Sequence, residues 1–315
     1  MSRYNDYDLI RNKDIVIPFL DNSTIIKVDT EYGNSLNMFS DNKEVNDKVV
    51  IFVDWGDGSD EIFNIRSGSI SHKYSVSGKF KVIIKHNRDV NLKFFDQPII
   101  TELIKLGTMP NYNGTFMQCE NLNKLHNDCL DLNPYTKELI NTFQNCYSLK
   151  TIPYNLLHKF YELENIDGLF NGCGLIEIPY NFLNNNFKLQ SLNSTFKNTQ
   201  ITNLKSDLFK MNKEIINLKS CFAGSGVKTV EANIFDTLTK LKDASYLFCD
   251  CYSLETIPED LFKYCTNLNY VTRMFYNAKS LKHFPLSTFK YNKRIFNDRY
   301  VLVGSGVNAS QQIIW

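Results

Sequence analysis

A bulky apolar residue returns at a nearly constant interval through the last two thirds of this 315-residue chain. Successive positions are 26 or 27 residues apart, and they are Phe116, Phe143, Phe170, Phe196, Phe222, Phe248, Phe275 and Leu302. We call this set the anchor column. A fixed period of this length is typical of repeat proteins. Because a single unit cannot bury its own apolar face, the sequence predicts a solenoid in which about eight units stack on one another.

The residues around each anchor repeat as well. Residues 143–153 and 248–258 carry Phe, Cys, Leu, Ile and Pro at the same offsets. The Leu-x-x-Ile part predicts short strands that stack into narrow sheets and end at the proline, and Leu-Phe-x-x-Cys predicts a helical turn. The second half of a unit, as in Leu261-Phe262-Lys-Tyr-Cys265, resembles the first half, which favours a doubled unit of about 13 residues.

The chain has eight cysteines, and four of them lie three residues after an anchor. We call these third positions the small-residue column, and its members are Cys119, Cys146, Cys173, Thr199, Ser225, Cys251, Ala278 and Ser305. Since only small size is common to them, we expect free, buried thiols rather than disulfides. The Cys249-Asp-Cys251 pair lacks the second pair or histidine partner that a zinc site needs, so we expect no metal there.

The first hundred residues show a different pattern. β-Branched runs separated by Gly and Asp predict an antiparallel β-sandwich of about 95 residues. The predicted strands cover residues 15–17, 24–28, 48–53, 61–65 and 79–84. Residues 103–110 are expected to be a short linker to the first repeat. The predicted fold class is therefore α+β or mainly β, with a sandwich followed by a solenoid.

The segment Asp54-Trp55-Gly56-Asp57-Gly58-Ser59 predicts a tight turn. Glycine permits a positive φ there, and aspartate side chains bond backbone amides across such a turn. Asp54, Asp57 and Asp60 could alternatively be calcium ligands, but their spacing does not fit an EF-hand loop. We expect His72 to pack within this turn rather than to act as a base.

Two resemblances follow from these motifs. Trp-Gly-Asp-Gly-Ser at 55–59, His-x-Tyr at 72–74 and Gly-x-Phe-x-Val at 78–82 resemble the core motif of PKD-like immunoglobulin-type domains over residues 10–97. Phe-x-x-Cys-x-x-Leu-x-x-Ile resembles the BspA-like leucine-rich repeats of bacterial surface proteins over residues 100–315. The resemblance implies spacer or binding modules rather than enzymes. It implies two domains, 1–98 and 99–315, the second ending in a polar cap at Asp298 and Ser310.

Composition and motifs exclude several function classes. With 35 basic and 34 acidic residues interspersed, no field of one sign favours nucleic acid or anionic lipid. Residues 1–10 do not read as a signal peptide, residues 313–315 do not form a tail anchor, and no run predicts a membrane span. The histidines His72, His86, His126, His158 and His283 are scattered. We therefore expect no catalytic residue, no cofactor, no metal and no enzyme.

Exposed positions of the repeats form the candidate binding surface. The expected row of neighbouring side chains includes Lys150, Lys228, Glu255 and Lys282, and tyrosines share two further columns. The eight candidate residues are Tyr147, Lys150, Tyr154, Tyr180, Lys228, Tyr252, Glu255 and Lys282. Tyrosine contributes large contact area at low entropic cost, which suits recognition. The alternative is that these tyrosines only cover the apolar edge of the repeat.

Three functions remain open at this point. The first is a bacteriophage virion component, such as a baseplate, tail-fibre or capsid-decorating protein, that binds virion neighbours or a host-surface receptor or glycan. The second is a bacterial cell-surface adhesin of the BspA-like type. The third is an intracellular protein-interaction scaffold, which reduced thiols favour. Each is compatible with a homo-oligomer.

Overall fold

The fold is mainly β in the computed structural model, which describes residues 9–12, 15–18, 22–40, 49–130, 134–296 and 299–308. Within these ranges the chain forms thirteen strands and one 3₁₀ turn, Thr30–Tyr32. The strands are β1 Leu9–Asn12, β2 Ile15–Pro18, β3 Thr24–Asp29, β4 Ser35–Ser40, β5 Val49–Asp54, β6 Asp60–Ile65, β7 Gly68–Lys73, β8 Lys79–His86, β9 Leu92–Lys93, β10 Ile100–Lys105, β11 Lys124–Leu125, β12 Asn203–Leu204 and β13 Thr229–Val230.

β1 and β2 pair with each other as a separate antiparallel sheet, and the strands from β3 to β10 form two sheets around a shared core. One sheet has six strands in the order β11-β10-β3-β8-β5-β6, and the other has three in the order β7-β4-β9. Burial alternates along β5, where Val49, Ile51 and Val53 are buried, as expected for a strand with one face in a core. The five strands predicted from sequence are present as β2, β3, β5, β6 and β8.

The three strands of the smaller sheet, β4, β7 and β9, were not predicted from sequence. β4 and β7 pair antiparallel along their whole length. More than half of their residues are Ser, Asn, His or Lys. Their only buried apolar side chains are Leu36, Met38 and Ile70. A strand with so few apolar positions gives a weak alternation signal. Its tertiary partners, rather than its own propensity, hold it in place.

The expected linker at 103–110 is corrected by the structure, because most of its first half is strand. β10 pairs antiparallel with β3 and parallel with β11, which belongs to the first repeat. The Glu102 carboxylate of β10 accepts from Lys27 of β3 at 3.0 Å and lies 2.7 Å from Nε2 of His126, the residue that follows β11. The six-stranded sheet therefore continues from the N-terminal strands into the repeats, and the buried core is continuous as well.

The tight turn at 54–60 is held by the residues of its own motif. The Trp55 amide donates to Ser59 O at 3.1 Å, and Asp57 Oδ1 accepts from the Ser59 amide at 3.0 Å. The His72 ring stacks on the Trp55 indole at 4.6 Å while its Nε2 lies 2.8 Å from Asp57 Oδ2. Tyr74 donates to Trp55 O at 3.1 Å. As expected, His72 packs within the turn.

The anchors form one continuous stack of aromatic rings. Neighbouring ring centroids lie 5.1–6.0 Å apart with nearly parallel planes from Phe94 to Phe275. Phe94 lies before the first predicted repeat and starts the stack against Phe116. A second stack joins Phe209, Phe235, Phe262 and Phe289 at 5.1–5.8 Å, as the doubled unit predicts. Apolar burial in these two columns provides the main stabilisation of the solenoid.

The backbone around each anchor alternates between two kinds of hydrogen bond. The amides of Phe143 and Asn145 donate to the next repeat, to Leu169 O at 3.1 Å and Asn171 O at 2.7 Å, whereas Cys146 N donates back to Phe143 O. Asn145 has a φ of +59°. A left-handed residue at that place fits a type II turn and ends a right-handed helix. In the Leu-Phe-x-x-Cys segments that carry such a residue, at Gly172 and Asp250, the expected helical turn is therefore wrong, and the described residues contain no α-helix.

The small-residue column also contributes hydrogen bonds between repeats. The thiols of Cys146, Cys173 and Cys251 donate to the carbonyl of the anchor one repeat earlier, at 3.2, 3.0 and 3.0 Å. All eight cysteines are free and buried, which confirms that expectation. Burial raises the pKa of Cys173 to about 12, so the thiolate needed for reactivity is disfavoured. The expected polar cap at Asp298 and Ser310 lies outside the described residues.

The turn at 54–60 offers a matched test of backbone packing. A Cβ added to Gly56 (φ +81°) would lie 2.5 Å from Lys81 O, whereas one added to Gly58 (φ +94°) meets nothing within 4 Å. Both alanines carry left-handed strain of ~1–2 kcal/mol. We expect Gly56→Ala to cost a further ~1–3 kcal/mol from the backbone clash. Urea unfolding of both variants measures the difference, and equal losses would contradict the described approach of β8.

The anchor stack predicts a large loss from one truncation. Phe196 is fully buried between Phe170 and Phe222. Phe196→Ala should lower the free energy of unfolding by ~3–5 kcal/mol because it leaves a cavity in the stack. Phe187 is 47% exposed, so Phe187→Ala is the control and should cost below ~1 kcal/mol. Denaturant titration followed by tryptophan fluorescence distinguishes the two.

The Asp57 carboxylate makes stability depend on acid pH. Burial raises its pKa, but hydrogen bonds from Ser59 and His72 outweigh burial and lower it to about 2 from an ordinary value of 3.8. The ionised Asp57 carboxylate therefore stabilises the fold fully above about pH 4, and this stabilisation is lost as pH falls towards 2. Asp57→Asn should destabilise the protein at pH 7 and show a smaller loss between pH 4 and pH 2 than the native chain. Urea midpoints across this range test the slope, and parallel curves would contradict it.

Candidate recognition surface

The repeats bring the predicted charged residues into one row. Parallel pairing of β12 with β13, and of Thr229 with Thr256, aligns this edge of successive repeats. The Lys228 amide donates to Thr202 O at 2.8 Å and the Glu255 amide donates to Lys228 O at 3.0 Å. The exposed members of the row are Lys150, Ile176, Lys228, Glu255 and Lys282, with half-buried Thr202 among them. The row is therefore formed as the sequence predicts, and its binding role stays a prediction.

The predicted tyrosines are exposed but do not all meet. Tyr147 and Tyr252 are 53% and 52% exposed and share a column, yet three repeats separate them. Tyr154 and Tyr180 occupy successive repeats and are more exposed still. The Tyr154 ring contacts His158 edge-on at 5.5 Å. Only the part of the surface near Tyr252 gathers several candidate side chains together.

A cluster that sequence reasoning missed lies near that part of the surface. The guanidinium of Arg273 lies 5.2 Å from the ring centre of Tyr276, 5.5 Å from Tyr300 and 5.9 Å from Tyr246. Distances of this size give cation–π attraction. Arg273 and Tyr300 are exposed, and Tyr246 and Tyr276 are half-buried. We call these four residues the arginine–tyrosine cluster.

One sequence signal could have found this cluster. Tyr246, Arg273 and Tyr300 belong to the column two residues before each anchor, and the residue in this column has a positive φ in every repeat. The column reads Gly114, Asn141, Gly168, Ser194, Ser220, Tyr246, Arg273 and Tyr300. Small residues and Asn tolerate a left-handed conformation, whereas bulky ones are uncommon there. Three large side chains in succession depart from the local rule, and such departures concentrate at functional sites.

Residues next to the arginine–tyrosine cluster contact two residues of the predicted binding surface, Tyr252 and Lys282. Lys279 Nζ lies 5.0 Å from the ring centre of Tyr252, and Lys282 Nζ donates to Lys279 O at 3.1 Å. Tyr252 donates to Asp250 Oδ1 at 3.4 Å, and Asn277 Nδ2 donates to the same oxygen at 2.8 Å. The Asp250 carboxylate raises the pKa of Tyr252, so this hydroxyl keeps its proton. Two of the eight predicted residues thus belong to a connected polar and aromatic surface.

Cys249 lies beside this surface but is not equipped as a nucleophile. Its thiol donates to Asp250 Oδ2 at 3.2 Å. Burial, with the nearby carboxylate, raises the pKa of Cys249 to about 12 despite the cation at Arg273. Cys251 instead donates to Phe222 O, so the two thiols have separate partners. That the pair holds no zinc stays a prediction.

The aspartates of the tight turn bond the backbone and neighbouring side chains. Asp54 Oδ1 accepts from the Gly56 amide at 2.9 Å, and both oxygens of Asp57 are engaged by Ser59 and His72. In β5 and β6, Asp54 and Asp60 face each other across the sheet. Over the described ranges, no group of three or more His, Cys, Asp or Glu residues is arranged to hold a metal ion. These hydrogen bonds give Asp54 and Asp57 a structural role in the turn.

Comparisons with known proteins identify no family. No protein-family model and no curated protein matches the chain. Among solved structures, the chain is similar to a protein in a TLR13–ssRNA13 complex, with 17% identity, a TM-score of 0.33 and coverage of 63% of this chain and 28% of that chain. It is also similar to a protein in the Drosophila Toll–Spatzle complex, with 13% identity, a TM-score of 0.33 and coverage of 68% and 33% respectively. This chain thus spans about a third of their length. None of the segments that the structure describes forms a helix long and apolar enough to cross a membrane.

The arginine–tyrosine cluster gives a test that separates fold from recognition. Arg273 is exposed in a left-handed conformation that Asn tolerates better. Arg273→Asn removes ~0.5–1 kcal/mol of exposed cation–π attraction, but it also relieves left-handed backbone strain of a similar size. We expect its free energy of unfolding to stay within ~0.5 kcal/mol of the native value in a urea titration. A loss above ~2 kcal/mol would show that Arg273 is there to stabilise the repeat.

Proposed function

We propose that this chain is a non-enzymatic recognition protein that binds another protein through the surface around the arginine–tyrosine cluster. The support is the geometry of Arg273 and its three tyrosines, which join two of the three side-chain types enriched at interface hot spots. Tyr252 and Lys279 extend the same chemistry along the repeat. The rigid stacking of the repeats underneath limits the ordering cost of binding.

Charge indicates the chemistry of the partner. Among the described residues, Arg273 makes no ion pair, and Lys279 lies over an aromatic ring rather than beside a carboxylate. A guanidinium presents a planar fork of donors that matches a carboxylate. The tyrosine rings hold that fork in place before the partner arrives. An acidic segment on the partner, placing Asp or Glu on Arg273, fits this surface best.

The proposal as non-enzymatic rests on how the reactive side chains are used. Cysteines of the small-residue column donate to carbonyls of the preceding repeat. Asp57 and His72 bond each other within the tight turn. Each of these groups therefore has a structural partner that a catalytic role would have to displace.

Within this proposal we place the protein in a bacteriophage particle, as a baseplate, tail-fibre or capsid-decorating component. The sequence resemblance to BspA-like repeats of bacterial surface proteins, joined to a PKD-like module, supports a role outside the cell, and the phage particle is our choice within that setting. A bacterial adhesin and an intracellular scaffold would use the same surface in another place. Mass spectrometry of purified particles tests the placement, and detection only in host-cell envelope or cytoplasmic fractions would contradict it.

The recognition surface is tested by cross-linking followed by affinity measurement. A photoreactive phenylalanine analogue at position 276 of the full chain should cross-link to one protein partner, which is then purified. Arg273→Glu should weaken binding of that partner at least ~10-fold in biolayer interferometry, since it reverses the charge at the centre of the surface. Lys213→Glu makes the same charge change at another exposed site and should leave affinity unchanged. Equal affinities for both variants would show that binding occurs elsewhere.

A further inference from the structure

The six-stranded sheet ends at an edge strand, β6, that the proposed function does not use. In the order β11-β10-β3-β8-β5-β6, β6 pairs antiparallel with β5, and within the described ranges it pairs with no strand on its other side. β6 covers six residues, Asp60–Ile65, and is as long as β5. An edge strand of this kind is a template for pairing with a further strand.

The register shows which backbone groups of β6 face the free edge. The Val50 amide donates to Asn87 Oδ1 at 3.0 Å, and the Val50 carbonyl accepts from the Asn87 amide at 3.2 Å. Val50 therefore points its backbone groups away from β6, although it lies opposite Asn64. Because bonded and non-bonded pairs alternate in an antiparallel ladder, Asn64 and Ile62 point their N–H and C=O groups away from β5. These groups line the free edge.

Charges of opposite sign lie symmetrically about the middle of β6. Asp60 is three residues before Phe63, and Arg66 is three residues after it. Both charged side chains are exposed, and the ion pairs among the described residues include neither of them. If a second copy of β6 pairs antiparallel about a two-fold axis at Phe63, Asp60 of each copy lies opposite Arg66 of the other. Opposite charges directly across a sheet attract.

These charges select one register among those that the free edge allows. An axis at Ile62 would place Asp60 opposite Asn64, and an axis at Asn64 would place Arg66 opposite Ile62. The axis at Phe63 pairs both charges and lets Ile62 and Asn64 exchange both of their N–H···O=C bonds across the edge. Charged residues on an edge strand usually prevent pairing, whereas this arrangement favours pairing with a second copy.

Apolar side chains at the edge gain cover from the same pairing. Phe63 and Ile65 pack against the core but stay half-buried, and Ile62 is half-buried on the other face of the strand. The Phe63 ring meets Trp55 edge-on, with 6.4 Å between the ring centres. Pairing about the axis places Phe63 opposite Phe63 of the second copy. Removing their apolar surface from water favours the contact.

We propose that β6 pairs with β6 of a second copy of this chain, so that two sheets join across a two-fold axis. A contact that uses the same patch on both copies closes on itself and gives a dimer rather than a fibre. The contact is one strand wide, so we expect a weak dimer with a Kd on the order of 10 µM.

Sedimentation velocity of the full chain tests this dimer at concentrations from about tenfold below to tenfold above that Kd. Asp60→Arg and Arg66→Asp each place like charges opposite one another, and each variant alone should raise the dimer Kd at least ~10-fold. An equal mixture of the two variants should dimerise about as well as the native chain, because the mixed pair again has opposite charges at both positions. Recovery in the mixture cannot come from a change in the stability of either variant.

A matched pair of proline variants tests the edge itself. Asn64→Pro removes an outward-facing donor and should abolish the dimer, while an edge strand tolerates proline where its N–H faces solvent. Ser71→Pro makes the same kind of change on β7. Ser71 lies opposite Asn37, whose amide donates to Gln97 Oε1 at 2.7 Å, so Ser71 also points its N–H to a free edge. Ser71→Pro should dimerise as the native chain does, and urea unfolding checks that both variants are folded.

The remaining outcomes decide against the inference. It is overturned if the native chain stays monomeric over this range, even if β6 then accepts a peptide strand from another protein. It is also overturned if both charge variants dimerise as the native chain does, if their mixture stays monomeric, or if Ser71→Pro dissociates the dimer and Asn64→Pro does not. Arg273→Glu should leave the dimer unchanged, so failure here and failure of the proposed recognition surface are distinguishable.

Discussion

The structure depends on the alternation of hydrogen bonds along each anchor segment. Every second amide bonds within its own turn, and the amides between them bond the next repeat, as Cys146 and Phe143 do. This alternation requires left-handed residues at fixed positions, which Asn145 and its equivalents supply. It brings the anchor side chains into register, so that Phe rings stack at a constant step. The two buried aromatic columns and the exposed rows both follow from it.

Much of this architecture could be predicted from the sequence, because the period of 26 or 27 residues is long and repeated. The period fixed which residues share a column, and the aromatic stacks and the charged row from Lys150 to Lys282 have the expected membership. The conformation within each unit could not be predicted, because Leu-Phe-x-x-Cys is compatible with a helical turn. The deciding signal was the column two residues after each anchor, where Asn, Gly and Asp favour left-handed backbone.

The arginine–tyrosine cluster was missed although the column two residues before each anchor changes there from small residues to Tyr246, Arg273 and Tyr300. Aromatic residues spaced by one repeat predict a row of rings on the surface. The spacing does not show which of these rows also contacts a positively charged side chain. Tyr147 and Tyr252 satisfied the column pattern and lie four repeats apart. Tyr246 and Tyr300, in contrast, enclose Arg273 because a left-handed backbone directs three successive side chains outward together. The strand β10 was missed for a related reason, since its pairing with β3 and β11 depends on residues distant in sequence.

A rigid repeat stack with exposed side chains set at regular intervals is suited to recognition, and the proposed recognition surface depends on that rigidity. Amide hydrogen exchange measured by NMR tests it most directly. The amides of Phe143, Phe170, Phe196 and Phe222 each donate to the next repeat, and they should exchange with similar, strong protection. Exchange of these four amides as fast as that of exposed loop amides would contradict the central claim that the inter-repeat ladder holds the structure together.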